Sequence, residues 1–226
     1  MVKHALVASL LFAIAANVFG SDVSAGIGVA GGCFIDEMSN SMPSLSVTTE
    51  TRYTYLPGNA TFYLDVKYLQ VAIGYSLLTL GHQTLTQTIS GSTTTLLDQD
   101  IIGTLGYLVF GLVGEFPIAL GPVTLFPMLG IEIDANIMDI GQNGIDLRAS
   151  MTDAEKADEN RFWMRAGIGA EYSISSNAYI RPELIVGYRF PSSSETAAYL
   201  NAQKAGFAPL WFTIEPDLSL LIGWNL

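Results

Sequence analysis

The sequence predicts an all-β fold, an eight-stranded antiparallel up-and-down transmembrane β-barrel. Three observations lead to this prediction. Eight segments alternate apolar with polar or small side chains, and short turns alternate with long polar links between them. In addition, 50% of the residues are apolar, although no stretch after residue 20 reaches the length of a membrane-spanning helix. An apolar chain without a spanning helix is typical of a spanning barrel.

The amino end predicts export. Lys3 and His4 precede a short apolar run over residues 5–19, which is the layout of a cleaved secretory signal. Residues 1–20 are therefore predicted to be removed, and residues 21–226 to form the barrel. Nine basic residues then remain against 21 acidic ones, a net charge of minus 12. Such a charge makes nucleic acid a poor partner.

The sequence has a single cysteine, Cys33, so no internal disulfide is expected. The stretch Ala30–Cys33 has some likeness to a lipoprotein box, but polar residues separate it from the apolar run. A small apolar residue in the first strand is the interpretation that fits better.

The predicted strands have links of alternating length. The strands lie near residues 25–35, 58–67, 69–80, 100–117, 123–134, 161–173, 178–190 and 209–226. The long links are residues 36–57, 81–99, 135–160 and 191–208. Outer-membrane barrels place long loops outside the cell and short turns in the periplasm, so these four links are predicted to be extracellular.

The two faces of each strand differ in chemistry. The sixth strand is the clearest, because its outward face is predicted to carry Phe162, Met164, Ala166, Ile168, Ala170 and Tyr172. Its inward face carries Arg161, Trp163, Arg165, Gly167, Gly169 and Glu171. The fourth, fifth and seventh strands divide in the same way. Only one face of such a strand can contact lipid, and the other suits a narrow lumen filled by side chains.

The last strand is apolar on one face up to the carboxyl terminus, and that face carries Leu218, Leu220, Ile222, Trp224 and Leu226. This ending resembles the final strand of bacterial outer-membrane barrels, which the assembly machinery reads, although those usually end in Phe. Together with the eight segments and the signal, it makes the chain resemble the small outer-membrane barrels of the OmpA, OmpX and OmpW type. The resemblance implies a monomer in contact with outer-membrane lipids. It also implies a role in membrane integrity, surface recognition or slow passage of small molecules.

The predicted lumen contains charges of both signs. The inward set is Glu115, Glu132, Asp134, Arg161, Arg165, Glu171, Arg181, Glu183 and Arg189. Pairing across the short turns places Glu171 opposite Arg181 and Tyr107 opposite Glu132. The favoured interpretation is a plug of mutually satisfied charges, and the alternative is a gate that rearranges to admit a solute. Tyr107, Trp163 and Trp211 are predicted to line an apolar pocket above the charges.

No catalytic residue, metal site or cofactor is predicted. His82 is the only histidine after the signal, and no serine accompanies it on its strand face. The link around Asp139–Asp146 departs from a calcium loop at two ligand positions. Short helices are predicted over residues 151–160, with Glu155 three residues after Thr152, and over residues 194–204. A prolonged hairpin is predicted around residues 84–95.

The predicted function is a non-enzymatic surface or envelope barrel. The alternatives are a porin-like channel for small solutes with an apolar outer mouth, and an outer-membrane lipid hydrolase. Pro127, Pro182 and Pro216 are a difficulty, because each removes a ladder donor in a barrel without edge strands. The structural rival is therefore a periplasmic lipocalin-like or sandwich domain with its apolar face inward.

Overall fold

The computed structural model describes residues 23–141 and 143–225. The strands in this part of the chain are β1 (Val23–Gly32), β2 (Phe34–Met42), β3 (Val47–Val66), β4 (Leu69–Ile89), β5 (Ser92–Glu115), β6 (Ile118–Leu120), β7 (Val123–Ile140), β8 (Arg161–Ser173), β9 (Ala178–Phe190) and β10 (Ala208–Asn225). Helix α1 covers Asp153–Asp158 and helix α2 covers Ser193–Lys204. The predicted signal lies outside the described residues.

The strands close into a barrel of eight. β1 and β2 form one wall strand with a break at Cys33, because both keep the same register against β3 and against β10. β5 and β6 likewise form one strand with a break at Phe116 and Pro117. All neighbours are antiparallel, and the first wall strand pairs with the last. The predicted fold class is therefore confirmed.

The breaks in the wall accommodate the prolines. Pro127 lies across from the break at Phe116, and Pro216 lies across from the break at Cys33. Pro182 lies where the β8–β9 ladder is interrupted for two residue pairs. Proline has no N–H to give to a ladder, so an interruption opposite each ring avoids a strained or unmade hydrogen bond. Each strand remains paired on its other side, so the barrel stays closed.

Two of the predicted long loops are mostly strand. β2 and β3 are joined by residues 43–46, and β4 and β5 are joined by residues 90–91, where links of 36–57 and 81–99 were predicted. Side chains along these hairpins point alternately to two faces that are both polar. Their sequence therefore lacks the alternation of apolar and polar residues that marks a strand. The prolonged second hairpin was predicted. The links after β7 and β9 are long and carry the two helices, as predicted.

An apolar band surrounds the barrel. Outward side chains of every wall strand contribute large exposed apolar groups, among them Ile27, Phe62, Ile73, Phe110, Ile131, Ile168, Leu184 and Leu220. Above the band, the outward positions on β3, β4 and β5 become Thr54, His82 and Asp100. Charges buried inside and apolar groups exposed outside are the reverse of a water-soluble barrel, so the wall spans a membrane. The lipocalin-like rival is excluded by this arrangement.

The described residues contain no helix with the length and apolar character needed to cross a bilayer.

Candidate functional site in the barrel lumen

A lower layer of charge is centred on Arg181 of β9. Its guanidinium nitrogens lie 3.1 Å from Asp65, 3.2 Å from Glu115 and 3.0 Å from Glu183, and Glu171 is 4.0 Å away. The Arg181 side chain is 1% exposed. The carboxylates belong to β3, β5, β8 and β9, so the layer connects different sides of the wall. This cluster lies toward the short-turn end of the barrel.

A middle layer is centred on Arg165 of β8. Its guanidinium contacts Glu132 at 2.5 Å, Glu215 at 3.0 Å and Asp217 at 3.3 Å. The inward position on the next strand is Gly187, where a Cβ would overlap the Arg165 guanidinium. Glycine at this position therefore gives the arginine room to reach β10, which carries two of its three partners.

The upper lumen combines charges with aromatic rings. Arg189 contacts Asp36 at 3.2 Å and Glu195 of α2 at 2.8 Å. The Arg161 guanidinium lies over the rings of Tyr107, at 4.1 Å, and Phe34, at 4.6 Å. Arg161 thus interacts with aromatic faces, and it forms no ion pair with the carboxylates that the structure describes.

The hydrogen-bond partner of the Asp134 carboxylate is the indole ring of Trp163 rather than an arginine. The Trp163 Nε1–H donates to the Asp134 carboxylate at 2.7 Å, and both residues are buried. The Trp163 ring in turn lies 4.5 Å from the Arg165 guanidinium. The middle and upper layers are therefore in contact through this tryptophan.

The cavities of the lumen are separated by these layers. A cavity of about 470 Å³ opens at the short-turn end and has Asp65, Glu115 and Arg181 in its wall. A cavity of about 90 Å³ lies between the Arg165 and Arg181 layers. A third, of about 250 Å³, lies at the end opposite the short turns, beside Arg161 and Arg189. The paired side chains thus line the internal space between the two layers and at both ends of the lumen.

The structure places all nine predicted lumen charges on the inward face. Glu171 and Arg181 have the predicted register, since Gly169 pairs with Glu183 and Tyr172 with Ile180. Sequence reasoning missed five acidic partners, which are Asp36, Asp65, Glu195, Glu215 and Asp217. The alternation of β10 places Glu215 and Asp217 on one inward face, so these two were detectable. Asp36 was assigned to a loop.

The predicted pairing of Tyr107 with Glu132 is wrong. Tyr107 lies opposite Asn136, and Glu132 lies opposite Gly111. The prediction centred the turn on residues 118–121, whereas Leu120 pairs with Val123. Gly121 has φ +66°, a conformation that favours glycine, so the tight turn forms at residues 121–122 and shifts the register by four residues.

The predicted apolar pocket is not a single site. Tyr107 and Trp163 are fully buried in a cluster with Phe34 and Leu78. Trp211 lies apart from this cluster and lines separate cavities beside α2. The ring of Phe34 fills the space between the wall strands, with its centroid 5.8 Å from that of Trp163.

Helices α1 and α2 are joined by hydrogen bonds at the end of the barrel opposite the short turns. Asp158, the last residue of α1, accepts hydrogen bonds from Ser192 Oγ at 3.1 Å, Ser193 Oγ at 3.0 Å, and the Ser194 backbone N–H and hydroxyl. These donors, the Ser194 hydroxyl first, hold the pKa of Asp158 below its usual value. Both helices begin with a capping box, of which the one at Thr152 was predicted.

His82 is on the outward face of the β4–β5 hairpin, above the apolar band. Its Nε2 lies 2.8 Å from Asp98 and its Nδ1 lies 3.0 Å from Asp100. The hydrogen bond with Asp100, supported by the charge of Asp98, raises the pKa of the imidazole. Both ring nitrogens are therefore directed at carboxylates, which differs from the serine or threonine contact that the hydrolase alternative requires.

Comparisons with known proteins find similarity at the level of shape. The structure resembles Neisserial surface protein A, with TM-score 0.41 and 9% identity over 88% of this chain and 97% of that one. It also resembles the outer membrane protease OmpT from Escherichia coli, with TM-score 0.47 and 8% identity over 92% and 98%. The translocator domain of the autotransporter NalP from Neisseria meningitidis gives TM-score 0.26 and 9% identity over 100% and 96%. No family model and no curated protein matches.

The closed antiparallel barrel and its apolar band are the two properties that outer-membrane barrels combine. At that level, the predicted resemblance and the predicted outer-membrane location are confirmed. The narrower OmpA, OmpX or OmpW type stays a prediction.

Proposed function

We propose that this protein is a non-enzymatic barrel of the bacterial envelope whose lumen is closed by paired charges. One observation carries the proposal. Seven carboxylates contact two buried guanidinium groups, those of Arg165 and Arg181, in two successive layers. The Arg181 layer joins β3, β5, β8 and β9, and the Arg165 layer joins β7, β8 and β10, so both layers place paired side chains of several strands in the lumen.

The closed state is favoured by the cost of separating these groups. An eight-stranded barrel is just wide enough for side chains to fill. Breaking a buried ion pair by removing one partner costs about 3–5 kcal/mol, because the remaining charge is left unsatisfied. Pairing across the lumen therefore stabilises both the barrel and its closure.

Planar-bilayer recordings test the proposal. The two layers act in series, so removing one leaves the other in place. The variants Arg181→Ala/Glu115→Ala and Arg165→Ala/Asp217→Ala should each remain closed, and their combination should open a steady conductance absent from the parent protein. Arg52→Ala on the exposed outer face is the matched control. Migration of the unheated protein in a denaturing gel reports whether each variant still folds.

Steady conductance in the parent, unchanged in the combined variant, would reject the closed lumen. The second candidate, a channel for small solutes, would then take first place. The specific observation that favours it is the excess of acidic over basic groups in both layers, flanked by cavities at both ends. Such a lumen would select cations over anions, which reversal potentials in a salt gradient would measure.

We also propose that the barrel works as a monomer surrounded by outer-membrane lipids, and that assembly machinery recognises its last strand. The support is the outward apolar face of β10 and the ladder that pairs the first wall strand with β10 and so closes the sheet on itself. Trp224→Ser should lower the amount of assembled barrel in cells, whereas Ser175→Ala in a short turn should not. Equal amounts of both variants would contradict the role of the last strand.

A further inference from the structure

The extracellular end of the wall has a gap between β9 and β10. The ladder between them reaches only to Tyr188 paired with Ile214. β10 begins six residues earlier, at Ala208, and this upper part pairs with β2 on its other side. β9 ends at Phe190, and the chain continues into α2, which packs against β10. The helix therefore covers a stretch of β10 that has no strand beside it.

A cavity of about 310 Å³ lies in this gap on the lipid-facing side. Tyr188 and Phe212, which point outward, form part of its wall, together with Pro191 and Leu200. The rings of Phe162, Tyr188 and Phe190 form a cluster beside it, with centroids 5.3 and 5.5 Å apart. Aromatic girdles mark the interface of a barrel with the headgroup region. The cavity is therefore continuous with the surface that lipid covers.

A second cavity of about 370 Å³ lies on the lumen side of the same gap. Met38, Tyr53, Ala198 and Ala202 contribute most of its apolar wall. Tyr199 and Trp211 line both cavities, so the two cavities adjoin at these side chains. Each cavity has the size of sites that bind small organic molecules.

The charged groups that line the inner cavity are both carboxylates. The carboxylates of Asp36 and Glu195 both line it and share one cation, Arg189, which lies 3.2 and 2.8 Å from them. Asp36 also accepts from Trp211 Nε1 at 2.5 Å and from Thr213 Oγ1 at 2.9 Å. Two carboxylates and one guanidinium leave an excess of negative charge. An anionic headgroup would be repelled there, whereas a hydroxyl could donate to a carboxylate.

We propose that the two cavities form a binding site for an uncharged single-chain amphiphile, such as a long-chain alcohol, that enters from the outer leaflet of the membrane. The alkyl chain occupies the apolar walls beside α2, and the hydroxyl lies at the Asp36–Glu195 end. On binding, the alkyl chain of the ligand moves from one apolar medium, the membrane core, into another, the cavity. Selectivity therefore comes from the fit of the alkyl chain in the cavity and from the contacts of the ligand's polar end. Affinity expressed as mole fraction in the membrane should consequently change little with each added CH2.

Fluorescence quenching in bilayer nanodiscs tests the site. The probe is a terminally brominated long-chain alcohol mixed into unbrominated phosphatidylcholine. Trp224 faces lipid and is replaced by Phe, which leaves Trp211 at the site and Trp163 fully buried in the lumen. Quenching of this protein should saturate as the mole fraction of the probe rises. Trp211→Phe in the same background should remove the saturable part.

Two alanines of α2 provide a matched pair of variants. Ala202 lines the inner cavity, whereas Ala197 is exposed and lines neither cavity. Ala202→Phe should abolish saturable quenching, and Ala197→Phe should retain it. Quenching that rises linearly in the parent background, or that is equal in the two variants, would overturn the proposed site. A permanently charged brominated alkyl sulfate should not saturate, and saturation at the same mole fraction as the alcohol would overturn the assignment of an uncharged ligand.

Discussion

The membrane-spanning part of the wall and the part above the apolar band are stabilised in different ways. In the spanning part, apolar groups face lipid and the lumen contains buried ion pairs such as Arg165 with Glu215. In the upper part of β2–β5 both faces are polar, and neighbouring strands are joined by exposed or half-buried contacts. The hydroxyl oxygens of Thr88 and Thr93 are 2.8 Å apart, and Gln83 Nε2 donates a hydrogen bond to the Tyr53 hydroxyl at 3.0 Å. Changes in the spanning part should therefore have much larger effects than matched changes above it.

The largest difference in stability between the two parts is expected when an arginine is replaced by alanine. Arg165→Ala leaves two buried carboxylates, Glu215 and Asp217, and the half-buried Glu132 without their shared cation, which should lower the free energy of unfolding by about 3–5 kcal/mol. Arg52→Ala, on the exposed face of the upper wall, should change it by less than about 0.5 kcal/mol. Urea unfolding in lipid vesicles measures both. Similar losses for the two variants would contradict the distinction between the two parts.

The next difference concerns the outer face. Ile168→Arg places a charge in the apolar band and should cost roughly 2–4 kcal/mol. Thr86→Arg lies on the same side of the wall above the band, opposite Glu50, and should cost less than about 0.5 kcal/mol. Folding yield into vesicles and unfolding titrations measure the effect. A folded, soluble Ile168→Arg product in the absence of detergent would show that lipid does not cover this face.

A smaller and local effect is expected at α2. Ser192→Ala removes the N-cap and a donor to Asp158, and should destabilise α2 by about 1 kcal/mol without unfolding the wall. Hydrogen exchange should become faster in α2 and remain unchanged in β9. Thr152→Ala is the control, because it removes the equivalent cap of α1. Faster exchange throughout the barrel would mean that the helix contributes to closure of the wall.

The smallest effect is expected from pH at His82. The Asp100 and Asp98 carboxylates raise the pKa of the folded imidazole, so the protonated form stabilises the hairpin. This contribution is fully present below the ordinary histidine pKa of about 6.5 and is lost as the pH rises through the higher folded value. Amide exchange in upper β4 should thus become faster, relative to the intrinsic rate, as the pH rises from below about 6.5 through the higher folded pKa. His82→Gln should show no such change.

The comparison also explains how much of the molecule was predictable. β8 and β9 begin and end at the predicted residues, because apolar and charged positions alternate along them without interruption. The upper hairpins were assigned to loops, since a strand with two polar faces has no such contrast. The register between β5 and β7 depended on where the tight turn near Gly121 forms. Two neighbouring positions could adopt the backbone conformation of that turn, so the sequence did not decide between them.

Within the site, alternation predicted which charges point inward but not which of them meet. Arg165 reaches across to Glu215 and Asp217 on β10, a strand that is far from β8 in sequence. Such contacts depend on the tilt and closure of the barrel and on the space above Gly187. Arg161 was expected among the ion pairs and instead lies over Tyr107 and Phe34, because its level of the lumen is filled by rings.

Cysteine accessibility is the most direct test of the closed lumen. Ala72 lines the cavity between the two charged layers, and Ser24 lines the open cavity at the short-turn end. In a Cys33→Ala background, a charged methanethiosulfonate reagent should modify Ala72→Cys at least about 100-fold more slowly than Ser24→Cys. This factor corresponds to roughly 3 kcal/mol for separating the buried charges. Equal rates at the two positions would contradict a lumen closed by paired charges.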